Sequence, residues 1–439
     1  MNRIPTPANA ASEGRITNWA GNVTFTAPRV LRPSSPTDLR RLVADASRVR
    51  VLGTGHSFNR IADTGGALVS VAGLPPSIEV DASGRSVTVA AGVRLGELAT
   101  RLHAEGYALA NLPSLPHISV AGAVATATHG SGIRNGNLAT AVSAVRLLTA
   151  DGDERTVRRG EDDTFAGSVV ALGALGVVTG LTLDIVPTFD VRQYVYDGVP
   201  LDRLVERLDE VLSAGYSVSL FTGWTGERVA QIWVKHRVGD PDGSPAGPWL
   251  GGTLADGPRH PVPGMSATYA TVQQGQPGPW HERLPHFRLE FTPSSGEELQ
   301  SEYFVPRERA AAAIDAIDGI RELVAPVLQI TEVRTIAADE LWLSPNYRRD
   351  SLALHFTWIP DLAAVTPVAA EIERRLDAFG VRPHWGKVFT MAPRTLRTRY
   401  ERHADFVRLA HRYDPEGKFR NDFIDRYVTG DPDSTALTS

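Results

Sequence analysis

Hydrophobic and polar positions along the chain fall into two textures. Before Pro187, short apolar runs alternate with helical patterns. Ser34-Ser35-Pro36 predicts a helix start, with serine as cap and proline in the first turn. Leu39, Leu42 and Val43 give that helix one apolar face. Val49 to Leu52 reads as a buried strand, and Val87 to Ala91, Val142 to Leu148 and Val177 to Val186 as further strands. Arg94 to Glu105 reads as a helix stopped by Gly106. Past Pro187 aromatic residues become frequent and strands alternate, as in Ala230-Gln231-Ile232-Trp233-Val234-Lys235. Gly239 to Gly264 reads as a long loop, Arg307 to Leu323 as an alanine-rich helix, and Leu352 to Trp358 and Pro383 to Phe389 as strands. Tyr400 onward is helical until a loop at Asp414-Pro415-Glu416-Gly417-Lys418-Phe419, and the polar tail after Tyr427 is expected to be disordered.

Phe165 to Leu183 carries no charge and approaches the ~20 residues of a membrane span. Its glycines 167, 173, 176 and 180, with Ser168, Thr179 and Thr182, instead favour buried segments around a glycine turn. At 439 residues the chain exceeds one ordinary core, so two domains are expected. A net charge of -5 with interspersed signs argues against a nucleic-acid partner. The absence of cysteine excludes disulfides, thiolate nucleophiles and cysteine-ligated metals. Met1 to Gly14 lacks an apolar signal-peptide core. The expectation is a cytoplasmic monomer without a membrane partner.

Two glycine-rich loops carry the first candidate chemistry. One is Gly53-Thr54-Gly55-His56-Ser57-Phe58-Asn59, and the other runs from Leu115 to Gly132. Glycine lets backbone approach a ligand and frees N–H groups for phosphate oxygens. The first loop lacks the third glycine of a dinucleotide fingerprint, and Ser57 lacks the final glycine of a nucleophile elbow. The small-residue run Ala121 to Thr128 suits packing on something flat or narrow. His56 and His129 stand in these loops, where a surface histidine is the alternative reading. His281 and His286 have a spacing that suits no metal site.

The second candidate chemistry lies on predicted strands. Glu332 and Arg334 share a face, as do His355 and Thr357. In His384-Trp385-Gly386-Lys387, strand alternation puts Trp385 and Lys387 on one face and His384 on the other. A solvated face or a surface salt bridge is the bland alternative. Several of these residues sit among bulky apolar ones, however. Glu332, Arg334, Thr357 and Lys387, with His355 beside them, would make a compact patch suited to a polyhydroxylated ligand. Its cations could stabilise a forming alkoxide.

These residues bring out a resemblance. Arg50 to Asn59 resembles the phosphate-binding loop of the vanillyl-alcohol-oxidase-type flavoproteins, and most closely that of the bacterial alditol oxidases, which act on xylitol or sorbitol. The similarity extends through Ser114 to Gly122, Thr128 to Gly132, Leu172 to Thr179 and Tyr216 to Thr222. It continues in His286-Phe287-Arg288, Glu290-Phe291-Thr292-Pro293, Trp342-Leu343-Ser344-Pro345 and His384-Trp385-Gly386-Lys387. The resemblance implies an α+β fold: a PCMH-type FAD-binding domain over 1–188 and a substrate cap with an antiparallel sheet over 189–390. The segment 391–439 would return to the FAD domain.

It further implies FAD bonded covalently through His56. A second, cysteinyl flavin link is impossible in a chain without cysteine. Cofactor contacts would come from Gly53, Thr54, Gly55, Ser57, Phe58, Ser114, Ser119, Gly122, Thr126, Thr128, His129, Gly130 and Val178. Ser114, Glu332, Arg334, Thr357 and Lys387 match the polyol-binding set, and His355 lines the same pocket. The implied reaction takes a hydride from a terminal CH2OH to flavin N5, with Lys387 and Arg334 near the reacting hydroxyl. O2 would then be reduced to hydrogen peroxide. Pro113 stands where the family carries alanine, near the edge at which oxygen reacts. A sugar-lactone oxidase or dehydrogenase of the same superfamily shares several of these blocks. A flavin-binding sensor without turnover is a reading from another class, and the intact polar set argues against it.

Overall fold

Ser35 accepts the amide of Asp38 and Pro36 opens the helix Pro36–Asp45, which buries Leu39 and Val43. The computed structural model describes residues 15–240, 247–290 and 297–430. The helix leads into a three-stranded parallel sheet, Val30–Leu31, Ala67–Val69 and Val49–Val51, with Ala67–Val69 in the middle. Val49–Val51 hands the chain straight to the first glycine loop. A five-stranded antiparallel sheet follows, ordered Ile78–Asp81, Ser86–Ala90, Val177–Asp184, Val142–Leu148, Glu154–Arg158. Arg50 locks this region together. It is buried and donates to the carbonyls of Ile61, Leu172, Gly173 and Phe419. The C-terminal segment thereby returns to the first sheet, helped by Asn421, which donates to Ile61 and Asp63.

The middle of the chain forms a nine-stranded antiparallel sheet. Its centre runs Arg228–Arg237, Ser217–Thr222, Leu328–Ile336, Ser351–Trp358, Leu299–Pro306. Helices Ala310–Asp318 and Leu362–Leu376 pack on one face, where Tyr303 donates to Glu373 at 3.0 Å and Phe356 lies beside Tyr303. Because side chains alternate along a strand, the neighbours of these aromatics face the other way. That opposite face is polar and lines a cavity.

Several expectations change. The helix at 307–323 is interrupted: a 3-10 turn at Arg307–Arg309 and Ala310–Asp318 end at Gly319, whose amide bonds Asp315, and Arg321–Val324 is separate. Pro383–Phe389 is not a strand. Only Arg382–Pro383 pairs, and the chain then turns, with Lys387 N bonded to His384 O at 3.1 Å and Gly386 N to His384 Nδ1 at 3.0 Å. Within Gly239–Gly264, Thr253–Leu254 pairs with Asp190–Pro200, and residues 241–246 lie outside the described part. Val428, just past Tyr427, is buried; residues 431–439 and 1–14 lie outside the described part. The uncharged stretch forms a short helix Phe165–Ser168, a turn with positive φ at Leu172 and Gly173, and the strand from Val177. Among the described residues no helix is long and apolar enough to cross a membrane.

Candidate active site

One cavity of about 540 Å³ joins the glycine loops to the polar face of the large sheet. Gly53, Thr54, Gly55, His56 and Ser57 line it, as do Ser114, Ser119, Gly122, Thr126, Thr128, His129 and Val178. The close approach that glycine permits is real here. A Cβ on Gly53 would meet Ser119 Oγ at 2.6 Å, and one on Gly122 would meet the same atom at 2.8 Å. Phe58 and Gly130 do not line the cavity. Phe58 is buried behind the wall, edge-on to Trp19 and His56, and Gly130 packs against Asn111 and Leu112.

The first loop is bolted to the block at 384–387. Phe58 N donates to Gly386 O at 2.7 Å, and Asn59 Nδ2 donates to the carbonyls of Trp385 and Lys387, both at 2.8 Å. This brings His56 and Lys387 together, and Lys387 Nζ lies 5.1 Å from the Phe58 ring centre. The turn at Gly386 also changes which side chains face inward. Lys387 and His384 line the cavity, whereas Trp385 is buried, stacks on Tyr400 and donates to Leu343 O. Burial and the nearby Lys387 push the His56 ring down to about 3, so it is neutral near pH 7.

On the large sheet, register sets the polar patch. Glu332 pairs with His355, and His355 with Glu302, so an acid–histidine–acid row crosses three strands. Thr357 follows His355 on the same face, with Oγ1 3.4 Å from His355 Nε2. Arg334 lies below the row, 2.7 Å from Glu302, 3.6 Å from Glu332 Oε1, and donating to Ser114 Oγ at 3.3 Å. Glu332, Arg334, Thr357, Lys387 and His355 all line the cavity with Ser114.

Sequence reasoning missed Glu302, Gln300 and Glu298. They alternate at the start of Leu299–Pro306 and line the same cavity. The signal, acid-x-amide-x-acid entering a strand, was present. Lys387 donates to Gln300, and Gln300 to Glu298. His286, which the sequence places in a family block and whose spacing suits no metal site, donates from Nε2 to Glu332 Oε1 at 2.7 Å. No cluster of metal-ligating side chains exists among the described residues.

The electrostatics follow from burial and pairing. Burial alone would raise Glu302, but His129, Arg334 and His355 hold it well below the usual carboxylate range. Glu332 is likewise held low against burial, by Arg334 and His286. Burial would lower Arg334, yet Glu332 and Glu302 raise it, so it stays cationic. Lys387 is pushed down to about 8, chiefly by burial and further by Arg334. Arg334 Nε and His355 Nδ1 are buried without a hydrogen bond among the described residues, although carboxylates lie 3.4–3.6 Å away. Such a set offers a ligand fixed cations, carboxylate acceptors, hydroxyls and one amine that can change protonation.

Two family descriptions match the chain. The FAD binding domain matches residues 27–158, and D-arabinono-1,4-lactone oxidase matches residues 296–427. An alditol oxidase of a Streptomyces species is 53% identical over 419 residues, which cover 94% of this chain and 99% of that protein. An L-gulono-1,4-lactone dehydrogenase of Mycobacterium tuberculosis is 30% identical over 94% of this chain and 98% of that protein. Among solved structures, cholesterol oxidase from B. sterolicum superposes with a TM-score of 0.77 over 98% of this chain and 100% of that chain. At 16% identity this likeness concerns the fold alone.

Proposed function

The chain belongs to the alditol-oxidase branch of the vanillyl-alcohol-oxidase-type FAD flavoproteins, and from that premise we propose that it is a polyol oxidase. It oxidises the terminal CH2OH of a sugar alcohol such as xylitol or sorbitol to the aldose, and O2 is reduced to hydrogen peroxide. One observation carries this reading: Ser114, Glu332, Arg334, Thr357 and Lys387 line the same cavity as both glycine loops.

The residues present fit FAD. Gly53 and Gly122 sit against the Ser119 hydroxyl, which a Cβ on either would meet, and the backbone of Gly53 to Ser57 lines the cavity beside them, a setting that suits phosphate oxygens. His56 is the proposed covalent anchor to the flavin 8α-methyl. Its ring is neutral, so one nitrogen keeps the lone pair that bond formation needs, and Trp19 lies 4.5 Å from it. When bound, FAD supplies the two-electron acceptor for the substrate hydride and the route of electrons to O2.

The chain's own residues prepare the substrate for that transfer. Arg334 and Lys387 favour the alkoxide as the hydroxyl loses its proton. Arg334 cannot take the proton, because two carboxylates raise an already high pKa. Lys387, lowered to about 8, can hold it at Nζ. Glu332 accepts from, and Thr357 bonds to, hydroxyls further along the polyol, which sets preferred length and stereochemistry.

The test is the visible flavin spectrum of anaerobic protein before and after xylitol. Bleaching is the expected result, with the colour returning in air. A flavin that ignores xylitol and sorbitol but is bleached by L-gulono-1,4-lactone would move the assignment to the lactone oxidoreductases.

A further inference from the structure

Lys235 is a buried lysine on the strand Arg228–Arg237, and no step above uses it. It is 1% exposed. Its Nζ lies 2.6 Å from Leu284 O, 3.1 Å from Pro285 O and 3.4 Å from His286 Nδ1. Proton accounting then assigns the states along this chain of contacts. A carboxylate only accepts, so the 2.7 Å contact of Glu332 Oε1 places a hydrogen on His286 Nε2. Burial pushes His286 down to about 4, so the ring is neutral and its Nδ1 carries a lone pair. Burial pushes Lys235 down to about 7 against the pull of Glu332, so below that pH it is an ammonium. Nδ1 and the two carbonyls are then three acceptors for its three hydrogens.

We propose that Lys235 is a positioning residue of the polyol site, acting through His286 on Glu332 and through the 284–287 loop on Ser114. This rests on the polyol-oxidase reading. Lys235 selects the His286 tautomer that donates to Glu332. That bond occupies Oε1, and Oε2, which makes no hydrogen bond among the described residues, is left for a substrate hydroxyl. Phe221 and Trp233 hold the His286 ring edge-on at 5.5 and 5.2 Å, so the ring has little freedom except its tautomer. The same loop carries the second connection. His286 N and Phe287 N both point to Ser114 O, at 3.1 and 3.4 Å. Lys235 is thus tied to two substrate-binding residues far apart in sequence, the Glu332 side chain and the Ser114 backbone. Without it, the other tautomer turns a lone pair toward the Glu332 carboxylate, and the two repel.

The direct measurement is 15N NMR of histidine-labelled holoenzyme, with the His286 signals assigned by comparison with His286→Asn. A protonated Nε2 and bare Nδ1 are expected. The opposite tautomer, or a doubly protonated ring, overturns the proposal without any variant at Lys235. The kinetic measurement is Lys235→Met, with flavin spectrum and thermal midpoint recorded to gauge folding. kcat/KM for xylitol should fall about 10–100-fold, mostly through KM, the size expected for one charge-assisted hydrogen bond. In Lys235→Met/Glu332→Gln the loss should be smaller than the product of the two single losses, because the part relayed through Glu332 is already gone; a fully multiplicative loss would show that Lys235 does not act through Glu332. If polyols never reduce the flavin, the functional reading fails, while the tautomer still reports on the relay.

Discussion

The Arg334 guanidinium donates to the buried carboxylate of Glu302 at 2.7 Å. Glu332, 3.6 Å away, brackets it from the other side. Two carboxylates around one guanidinium keep Arg334 charged at every working pH, which makes it an electrostatic partner rather than a proton carrier.

Arg334→Met should therefore destabilise the protein as well as stop turnover. It leaves Glu302 and Glu332 buried without their cation, a change that costs about 3–5 kcal/mol. Thermal unfolding of the flavin-loaded protein should show a clearly lowered midpoint. An unchanged midpoint would mean that the two acids are neutralised by other groups.

The pH dependence should belong to Lys387. Proton acceptance needs the neutral amine, so flavin reduction by xylitol should speed up about tenfold per pH unit below pH 8 and level off above. Lys387→Met should slow it by about 10²–10⁴ and remove the pH dependence. The sign for stability follows from the same shift. The folded pKa lies below the unfolded value near ~10.4, so between about pH 8 and that value the unfolded chain binds more protons. Lys387 therefore adds stability as pH rises through this window. A rate that is flat from pH 6 to 9 would remove Lys387 from the proton step.

Acid precipitation tests the His56 link. The yellow colour should stay with the pellet in the native protein and leave with the supernatant in His56→Ala. Colour released from both would mean the flavin is held without a covalent bond.

Arg50→Met tests the frame behind the first loop. It removes the donor to the carbonyls of Ile61, Leu172, Gly173 and Phe419, of which Ile61 keeps Asn421 and Gly173 is partly exposed, so that Leu172 and Phe419 lose a buried partner. Unsatisfied buried acceptors cost about 1–3 kcal/mol each, and even with partial relaxation the loss should be about 3–5 kcal/mol. Denaturant melts of the holoenzyme would measure it, and a shift under about 1 kcal/mol would mean that water replaces the guanidinium.

What could be read from the chain alone was whatever depends on local period. Glu332 with Arg334, and His355 with Thr357, were legible as same-face pairs because strand geometry alternates every residue regardless of context. The glycine loops were legible because glycine marks where backbone must come close. The block at 384–387 was misread, since its inward face is set by a turn that Asn59, over 300 residues earlier, holds in place. Glu302 was legible as alternation but not as a site residue. Its meaning comes from Arg334 and His355, which strand register brings within 3.4 Å, and from His129, which the second glycine loop brings to 3.0 Å. Lys235 looked like any strand lysine, and its burial and three acceptors appear only once loop 284–287 folds over it. Local pattern was decided by backbone geometry that each segment carries with it. Partnership among buried charges was decided by the tertiary structure, because a charge leaves water only where distant segments supply its counter-charges and hydrogen bonds.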